Sequence, residues 1–301
     1  MMISVCIATY RRPERLAALL GDLAAQQRLP QQLVVVDNDA AGSARAVVEQ
    51  ARRAAPFPIV YAIQPIKNLS LTRNQTVAHA SAGWLAFIDD DERAPPHWLA
   101  RLAAAADAAG VDGVLGPVLP VLPADTASWL RRGCFYDWPR MASGTVVPGN
   151  RLRFGNLLLR AELLRSVPAP FDPAYGSTGG EDGDLLNRLV QGGARIIWCD
   201  EAEVREPIEP ARLRLRWLLL RALRGGQDYA RHALAGRYGA ITRSGRARLF
   251  VRSLAQLIAA AVLALLSWPF GRHRAVHWLA RAAANLGKLS SFAGLHYREY
   301  A

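Results

Sequence analysis

Cysteine is scarce in this sequence, and two common nucleotide-binding motifs are missing from it. Three cysteines, Cys6, Cys134 and Cys199, occur in 301 residues, and no two of them form a CxxC pair. A disulfide framework and a cysteine-based zinc site therefore have no support, and a reducing compartment is expected. Neither GxGxxG nor GxxxxGK followed by Ser or Thr occurs, so a Rossmann dinucleotide site and a P-loop are both unsupported.

Acidic residues are scarce in the last third of the chain, where the positive charge accumulates. Residues 205–301 contain 17 Lys/Arg against 4 Asp/Glu, a net charge of +13, whereas residues 1–204 are close to neutral. Such a segment predicts a polyanionic partner, either nucleic acid or anionic lipid. Because the segment is rich in Leu and Ala and contains no known nucleic-acid module, we expect anionic membrane lipids and no nucleic acid.

Two stretches of this basic segment favour contact with a membrane. Residues 212–224 mix basic and apolar side chains at helical spacing, which suits either a helix on a membrane surface or one packed on the preceding domain. Residues 253–270 carry no charge, and 18 residues is at the lower limit for crossing a bilayer. The alternatives for this stretch are a re-entrant or interfacial helix, a single span, and a soluble core helix.

Strand and helix patterns alternate through the first two thirds of the chain, which predicts an α/β fold with a mostly parallel sheet and right-handed crossovers. The predicted strands are residues 3–8, 32–36, 59–62, 83–88, 111–119, 154–159 and 195–198. Helical spacing of apolar residues predicts helices after each of the first four strands and after residue 184. Residues 120–150 are predicted to be a long loop or small insertion, where specificity often resides.

An acidic run follows the fourth predicted strand. The buried-type sequence Gly83–Ile88 leads directly into Asp89, Asp90, Asp91 and Glu92. Ligands bind beyond the carboxyl ends of strands in open α/β sheets, and adjacent carboxylates repel one another unless a cation is present. Hard oxygen ligands suit Mg2+ or Mn2+, so the run predicts a metal–phosphate site. A solvated acidic turn is the alternative.

Polar groups also follow the other predicted strands, and a second acidic pair lies further along the chain. Strand-end segments contribute hydroxyl, amide, carboxylate and guanidinium groups, a set that suits a nucleoside diphosphate: Thr9–Arg12, Asp37–Asp39, Lys67-Asn68 and Arg73-Asn74. The second pair, Glu181-Asp182, follows Gly179 and Gly180. Glycines let the backbone pass close to a ligand, and a carboxylate there serves either as a general base or as a helix cap.

These motifs in this order resemble the inverting glycosyltransferases of family 2, which have the GT-A fold. The resemblance covers roughly residues 2–210 and rests on Ile3–Arg12, Val34–Asp39, Arg73-Asn74, Phe87–Glu92, Gly155-Asn156 and Gly179–Arg188. Within the family, residues 198–202 and 212–226 are most similar to bacterial exopolysaccharide glucosyltransferases of the succinoglycan-biosynthesis type. The implied organisation is a GT-A catalytic domain, residues 1–210, and a basic, helical, membrane-associating region, residues 211–301.

The motifs and the resemblance together assign a role to each site residue. Nucleotide-sugar binding is expected from Thr9, Tyr10, Arg11, Asp37, Asn38, Arg73, Asn74, Asp89 and Asp90. Contact with the acceptor or donor sugar is expected from Gly155, Asn156 and Gly180. Asp182 is the expected catalytic base and Glu181 positions the acceptor. Asp89 and Asp91 form the metal pair, and since residues 204–207 lack the histidine that many relatives have, either Glu206 replaces it or Arg205 contacts the diphosphate.

The resemblance implies transfer of a sugar, with inversion, from a nucleotide-diphosphate sugar to a hydroxyl of a saccharide acceptor. The expected acceptor is lipid-linked, the pathway is exopolysaccharide or cell-surface glycan synthesis, and the location is the cytoplasmic face of the bacterial inner membrane. One alternative is transfer onto a polyprenyl phosphate, which barely needs a base. The other is a non-catalytic nucleotide-sugar-binding scaffold at the membrane.

Overall fold

The computed structural model describes residues 1–298, which divide into two compact units. The first contains Met1–Leu119 and Trp138–Glu206, and the second contains Pro120–Asp137 and the chain from Pro207 to residue 298. Within residues 1–298, the last passage from the first unit to the second is at Pro207. Residues 120–137, part of the stretch predicted to be a long loop or small insertion, also belong to the second unit.

The strands are β1 (Ile3–Thr9), β2 (Gln32–Asp37), β3 (Ile59–Ile63), β4 (Trp84–Phe87), β5 (Gly113–Leu115), β6 (Val118–Val121), β7 (Leu157–Arg160), β8 (Ile196–Trp198) and β9 (Val204–Pro207). The helices are α1 (Pro13–Ala24), α2 (Arg45–Ala54), α3 (Leu69–His79), α4 (Trp98–Ala109), α5 (Ser128–Gly133), α6 (Ala161–Arg165), α7 (Glu181–Gln191), α8 (Leu215–Leu234), α9 (Arg243–Ser267) and α10 (Arg272–Phe292).

A seven-stranded sheet with helices on both faces forms the first unit. Its strand order is β3-β2-β1-β4-β7-β5-β8, and every neighbouring pair is parallel except the two that involve β7. One apolar cluster joins one sheet face to α1, α2 and α4, and a second joins the other face to α3, α6 and α7. Burial on both faces explains why these strands have continuous apolar sequences instead of alternating ones. The predicted mostly parallel α/β architecture is confirmed.

β7 runs against its neighbours and is shorter than predicted. Leu157 pairs with Phe87, at the carboxyl end of β4, and Arg160 pairs with Trp84. The predicted strand began at Phe154, but Gly155 and Asn156 have φ values of 77° and 47° and interrupt the extended backbone. Because β7 is antiparallel, the residues just before it lie at the carboxyl ends of the parallel strands.

The strand predicted over residues 111–119 is two strands. β5 ends at Leu115, and β6 begins at Val118 and pairs with β9 in a separate two-stranded sheet. Gly116 and Pro117 separate them. Pro117 has no N–H to donate, and a Cβ on Gly116 would lie 2.3 Å from the carbonyl oxygen of Ala202. Residues 120–150, predicted to be a long loop or small insertion, contain helix α5.

The second unit is helical, and α10 packs against both α8 and α9. Its apolar cluster includes Leu130 of α5, Leu218 of α8 and Val276 of α10. Two glycines allow the backbones of α8 and α10 to come very close. A Cβ on Gly226 would lie 1.9 Å from the Ala284 carbonyl oxygen, and a Cβ on Gly287 would lie 2.0 Å from that of Leu223.

One side of α9 is apolar and uncovered. In the part of the chain that the structure describes, Arg243–Phe270 is the one helical stretch long and apolar enough to cross a membrane. Only 17% of its apolar 18-residue segment is buried. Large apolar side chains are exposed along its length: Phe250, Val251, Leu254, Ile258, Val262, Leu265, Leu266, Trp268 and Phe270. This exposure argues against the soluble core helix, one of the three alternatives for residues 253–270.

Candidate active site

The acidic run occupies the centre of the sheet's carboxyl edge. β4 lies between β1 and β7 and ends at Phe87, so the carboxylates follow directly. The Glu92 amide donates to the Asp89 carbonyl oxygen and the Asp89 amide donates to Glu92 Oε2, both at 3.1 Å, which closes a tight turn. Asp90, Asp91 and Glu92 are buried, whereas the side chain of Asp89 is 44% exposed. Asp89 is therefore the most open carboxylate of the run.

Asp90 and Asp91 are tied to the loop after β1. Thr9 Oγ1 donates to Asp90 Oδ2 at 2.7 Å, and Arg12 Nη1 lies 3.1 Å from Asp90 Oδ1 and 3.0 Å from Asp91 Oδ2. Arg15 Nη1 is 3.8 Å from the same Asp91 oxygen. Burial raises the pKa of Asp90 to about 6, with Arg12 opposing the rise and Asp91 adding to it. Both aspartates depend on arginine for charge compensation.

Asp89 and Glu92 lie in a locally acidic environment. Burial raises the pKa of Glu92 well above its usual range, and the charges of Asp89, Asp91 and Glu206 raise it further. Partial desolvation by the surrounding protein also raises the pKa of Asp89. The charge of Arg73 opposes this rise, while the charges of Asp91 and Asp182 add to it. Glu206 comes near because Arg93 and Arg205 exchange backbone hydrogen bonds of 2.7 and 3.0 Å.

Arg73 connects the two acidic motifs. Its Nη1 donates to Glu181 Oε1 at 2.5 Å, and its Nη2 lies 3.4 Å from Asp89 Oδ1. The guanidinium carbon lies 4.1 Å from the ring centre of Phe154. Glu181 is 2% exposed, and its Oε2 is buried with no hydrogen-bond partner. Burial raises the pKa of Glu181 to about 7; Arg73 opposes the rise, and Asp182 and Asp89 contribute to it.

Asp182 lies in the first turn of α7, where the helix dipole favours a negative charge. Its Oδ1 accepts from the Gly183 amide at 2.7 Å and its Oδ2 accepts from the Phe154 amide at 3.3 Å. The chain enters α7 through Gly179 and Gly180, with φ values of 84° and 92° that glycine adopts readily. The structure thus brings Asp182 within electrostatic range of Asp89, although 93 residues separate them.

Gly155 lies against the acidic run. A Cβ at this position would lie 2.8 Å from Glu92 Oε1 and 3.4 Å from Asp89 Oδ2, so only glycine fits beside these carboxylates. Asn156, which follows it, is fully buried and accepts from Trp98 Nε1 at 2.7 Å. Its Nδ2 donates to the carbonyl oxygens of Pro117 and Ala202 at 2.8 and 2.6 Å. Asn156 therefore holds the surrounding loops by hydrogen bonds within the protein.

The predicted nucleotide residues of β1 and β2 lie at the same edge of the sheet. Asp37 is fully buried and accepts from the Asp39 and Ala44 amides and from Tyr61 Oη. Arg11, with a φ of 53°, projects outward, and its Nε lies 3.2 Å from Asp39 Oδ2.

Tyr10 and Asn38 lie beside them. The cations of Arg11 and Lys67 lie 5.1 and 5.0 Å from the centre of the Tyr10 ring. This partly exposed aromatic with two cations beside it is suited to contact with a base and a phosphate. Asn38 donates to the Gln64 and Ile66 carbonyl oxygens and accepts from the Asn68 amide.

The two predicted residues of α3 have different surroundings. Arg73 lies in the acidic centre, as described above, whereas Asn74 exchanges hydrogen bonds of 2.8 and 2.9 Å with the backbone of Phe171. The sequence analysis included Arg12 in the polar segment Thr9–Arg12 but gave it no individual role, and it gave none to Arg15 or Phe154. All three contact the predicted acids. The position of Arg12 in the loop after the first predicted strand was the signal for it.

The donor atoms of the acidic run suit a hard divalent cation. All are carboxylate oxygens, and the pKa values of Asp89 and Glu92 are raised in part by neighbouring negative charge, which a cation would relieve. Within residues 1–298, no group of three or more His, Cys, Asp or Glu is already gathered as a metal site. Asp89 has the most exposed side chain for such a cation, and Asp91 would have to leave Arg12 to contact one.

Comparison with solved structures identifies the fold. The mannosyltransferase PcManGT from Pyrobaculum calidifontis, solved with GDP-Man and Mn2+, superposes with a TM-score of 0.64 at 18% identity, covering 94% of this chain and 86% of that one. TarS 1-349 of S. aureus, solved with UDP-GlcNAc, gives 0.53 at 19% identity, covering 99% and 93%. The fold is the GT-A glycosyltransferase fold that the sequence predicted.

Sequence comparison identifies the family. The Glycosyl transferase family 2 model matches residues 4–156. Succinoglycan biosynthesis protein ExoM of Rhizobium meliloti (strain 1021) is 35% identical over 233 residues, 76% of this chain and 74% of that protein. Galactofuranosyltransferase GlfT1 of Mycobacterium tuberculosis (strain CDC 1551 / Oshkosh) is 29% identical over 223 residues, 67% and 68% of the two chains. This chain belongs to glycosyltransferase family 2.

Proposed function

We propose that this glycosyltransferase moves a sugar, with inversion, from a nucleotide-diphosphate sugar to a hydroxyl of a lipid-linked saccharide during exopolysaccharide synthesis. The observation that carries the proposal is the approach of Asp182 to Asp89 at one sheet edge, bridged through Glu181 and Arg73. Two carboxylate motifs with different surroundings supply the two functions that the reaction needs, proton removal and support of the leaving group. The similarity to ExoM supports the choice of pathway.

The protein side chains divide the reaction between them. Asp182, held by the Gly183 and Phe154 amides, takes the proton of the acceptor hydroxyl as that oxygen attacks the anomeric carbon from the face opposite the leaving group. A single displacement of this kind inverts the anomeric centre. Glu181 is proposed to position the acceptor site from its buried place beside Asp182, where its Oε1 accepts from Arg73 and so orients the guanidinium.

The donor is proposed to bind along the carboxyl edge from β2 to β4. Tyr10 and Arg11 are proposed to face the nucleotide, with buried Asp37 fixing the loop beside them through the Asp39 and Ala44 amides, and Arg73 and Asp89 are proposed to face the diphosphate. Asp89 and Asp91, with Glu206 nearby, would hold Mg2+ or Mn2+. When bound, the metal neutralises the negative charge that develops on the leaving nucleoside diphosphate. The protein is proposed to act at the cytoplasmic face of the bacterial inner membrane, supported by the exposed apolar side of α9 and the basic charge of residues 205–301.

A donor panel tests the proposal. UDP-, GDP- and dTDP-sugars are offered with membrane lipid extract to the wild type, Asp91→Ala, Asp182→Asn and the control Asp107→Asn, which alters an exposed acid on α4. Loss of the base is expected to slow transfer by roughly 10²–10⁴-fold, while Asp107→Asn transfers like the wild type. Full activity of Asp182→Asn with a lipid product would instead indicate a polyprenyl-phosphate acceptor. Nucleotide binding without any transfer would indicate a scaffold.

A further inference from the structure

The apolar side of α9 points away from the helix that packs on it. The buried residues of α9 are Ser253, Ala260 and Ala264, which the helical period places on one narrow face. The outer face of α9 is defined here as Val251, Leu254, Ile258, Val262, Leu265 and Leu266, with exposed fractions from 42% to 77%. Its centre lies opposite the buried face. A contiguous apolar surface of this kind marks an interaction site.

α10 runs antiparallel beside α9 and carries charge along its length. The rings of Phe250 and Phe292 lie 5.4 Å apart at one end of the pair, and the helices are joined by a short turn at the other. Because both helices rise by the same distance per residue, Arg281 of α10 lies beside about Ala261 of α9. Ala261 is in the middle of the uncharged stretch. Arg281 is exposed, as is His277 one turn earlier.

This pairing is incompatible with α9 crossing a bilayer upright. Residues 253–270 extend about 27 Å as a helix, against a hydrocarbon core of about 30 Å. If they spanned it, α10 would lie at the same depth and Arg281 would be near the bilayer centre. One arginine at that depth disfavours insertion by roughly a hundredfold.

We propose that the α9–α10 pair lies in the plane of an anionic bilayer, with the outer face of α9 inserted among the acyl chains. In this orientation α10 is about 10 Å above α9, so that Arg281 is at the level of headgroups and water. Trp268 and Phe270, 63% and 68% exposed, extend the inserted surface. The inference deepens the proposed membrane association and rests on that part of the proposed function, but it does not depend on the sugar-transfer reaction.

Charge favours an anionic bilayer over a second copy of the chain. Arginines follow or precede the outer face at both ends: Arg243, Arg246, Arg248 and Arg252 before it, and Arg272 and Arg274 after it. Basic residues at both ends are attracted to anionic headgroups. Two copies facing each other through α9 would bring these arginines together and repel. Nucleic acid would leave the apolar outer face in water.

Flotation of the full chain with vesicles tests the surface. Phosphatidylcholine vesicles with and without phosphatidylglycerol are compared for the wild type and for the triple variant Ile258→Gln/Val262→Gln/Leu265→Gln. Because each inserted apolar side chain contributes about tenfold, the variant is expected to bind anionic vesicles at least about a hundredfold more weakly. The matched control, Leu29→Gln/Val146→Gln, alters two exposed apolar residues of the first unit and keeps wild-type binding.

Cysteine labelling tests the orientation. Val262→Cys and Arg281→Cys are made in a Cys134→Ser background, because Cys6 and Cys199 are buried. With an impermeant maleimide added on the protein's side of bound vesicles, Arg281→Cys is expected to label and Val262→Cys to be protected. Protection of both would overturn the in-plane orientation in favour of a span. Protection of Val262→Cys without vesicles would indicate a second copy.

The two levels of the hypothesis fail differently. Absence of flotation would refute the proposed membrane association itself, together with this inference. Flotation with the expected labelling, in a protein that transfers no sugar, would refute the proposed reaction and leave the in-plane orientation standing.

Discussion

The substitution Glu181→Gln is expected to stabilise the protein at pH values above neutrality but not in acid. The Glu181 side chain is 3% exposed, and burial is the largest reason why its pKa rises from the ordinary 4.5 to about 7. The pKa of about 7 already includes the attraction of Arg73, which by itself would lower the pKa of Glu181. A rise of this size corresponds to about 3 kcal/mol of unfolding free energy lost on ionisation.

The pH window follows from proton binding. Between pH 4.5 and about 7, folded Glu181 keeps a proton that the unfolded chain has released, so the folded state binds more protons. The unfolding free energy therefore falls as pH rises through this window, and the loss is complete above it. Glutamine cannot ionise and resembles the protonated acid. The difference between Glu181→Gln and the wild type should thus grow by about 3 kcal/mol from acid to alkaline pH.

Urea unfolding in non-ionic detergent, at about pH 4 and about pH 8, measures this difference. Glu162→Gln, which alters an exposed glutamate of α6, is the matched control and should show no comparable growth. A stability difference between Glu181→Gln and wild type that stays constant with pH would refute the reasoning. It would mean that Glu181 is not held in a site that opposes its charge.

Three further substitutions test contacts elsewhere. Gly226→Ala should destabilise the second unit by about 1–3 kcal/mol or more because α8 and α10 cannot separate freely, whereas Gly225→Ala, with open space around it, should stabilise α8 by about 0.5–1 kcal/mol. Arg73→Met should cost about 3–5 kcal/mol by stranding buried Glu181, and adding Glu181→Gln should recover much of it. Asn156→Ala should cost roughly 3 kcal/mol or more by leaving its buried partners unpaired.

Thermal and denaturant unfolding measure the stability change in all three cases. A different result would contradict each prediction. Equal effects at Gly225 and Gly226 would show that the helix backbones are not in close contact. Effects of the two single substitutions that simply add in the Arg73→Met/Glu181→Gln double variant would show that the two side chains do not interact. For Asn156, the control is Asn150→Ala at an exposed site, and similar small effects at both positions would contradict the hydrogen-bonding role.

The sheet was largely predictable because its strands are buried on both faces. Each of β1 to β4 is a short, continuous apolar run, and Thr9, Asp37 and Asp89 mark the ends where polarity changes. The direction of β7 was not predictable, since an apolar run such as Leu157–Leu159 has the same pattern in either direction. Only its pairing with Phe87 fixes the direction.

The acidic residues of the site could be predicted from the sequence, but the arginines and amides that pair with them were harder to predict. Carboxylates at strand and helix ends are visible in the sequence, but the choice among Arg11, Arg12 and Arg15 depends on loop conformation. The left-handed backbone at Arg11 turns that side chain toward Asp39 and leaves Arg12 to meet Asp90. The side-chain amide of Asn74 hydrogen-bonds to loop backbone, and an asparagine could equally hydrogen-bond to a ligand. The residue type alone therefore does not distinguish the two roles.

The reversed direction of β7 has a consequence for how this enzyme can diversify. The chain leaves the sheet after Leu115, at the carboxyl end of β5, and re-enters at Leu157 on that same edge. Residues 116–156 therefore leave and rejoin the sheet at one edge, where the Gly116 amide donates to the Asn156 carbonyl oxygen and Gly155 lies beside the acidic run. Residues 138–156 of this segment stay in the first unit and contain no strand of the seven-stranded sheet, so exchanges there leave its register untouched while altering the residues that lead to Gly155, beside Asp89. We expect chimeras made in residues 138–156 to change which acceptor is used while the strands of the sheet stay in place.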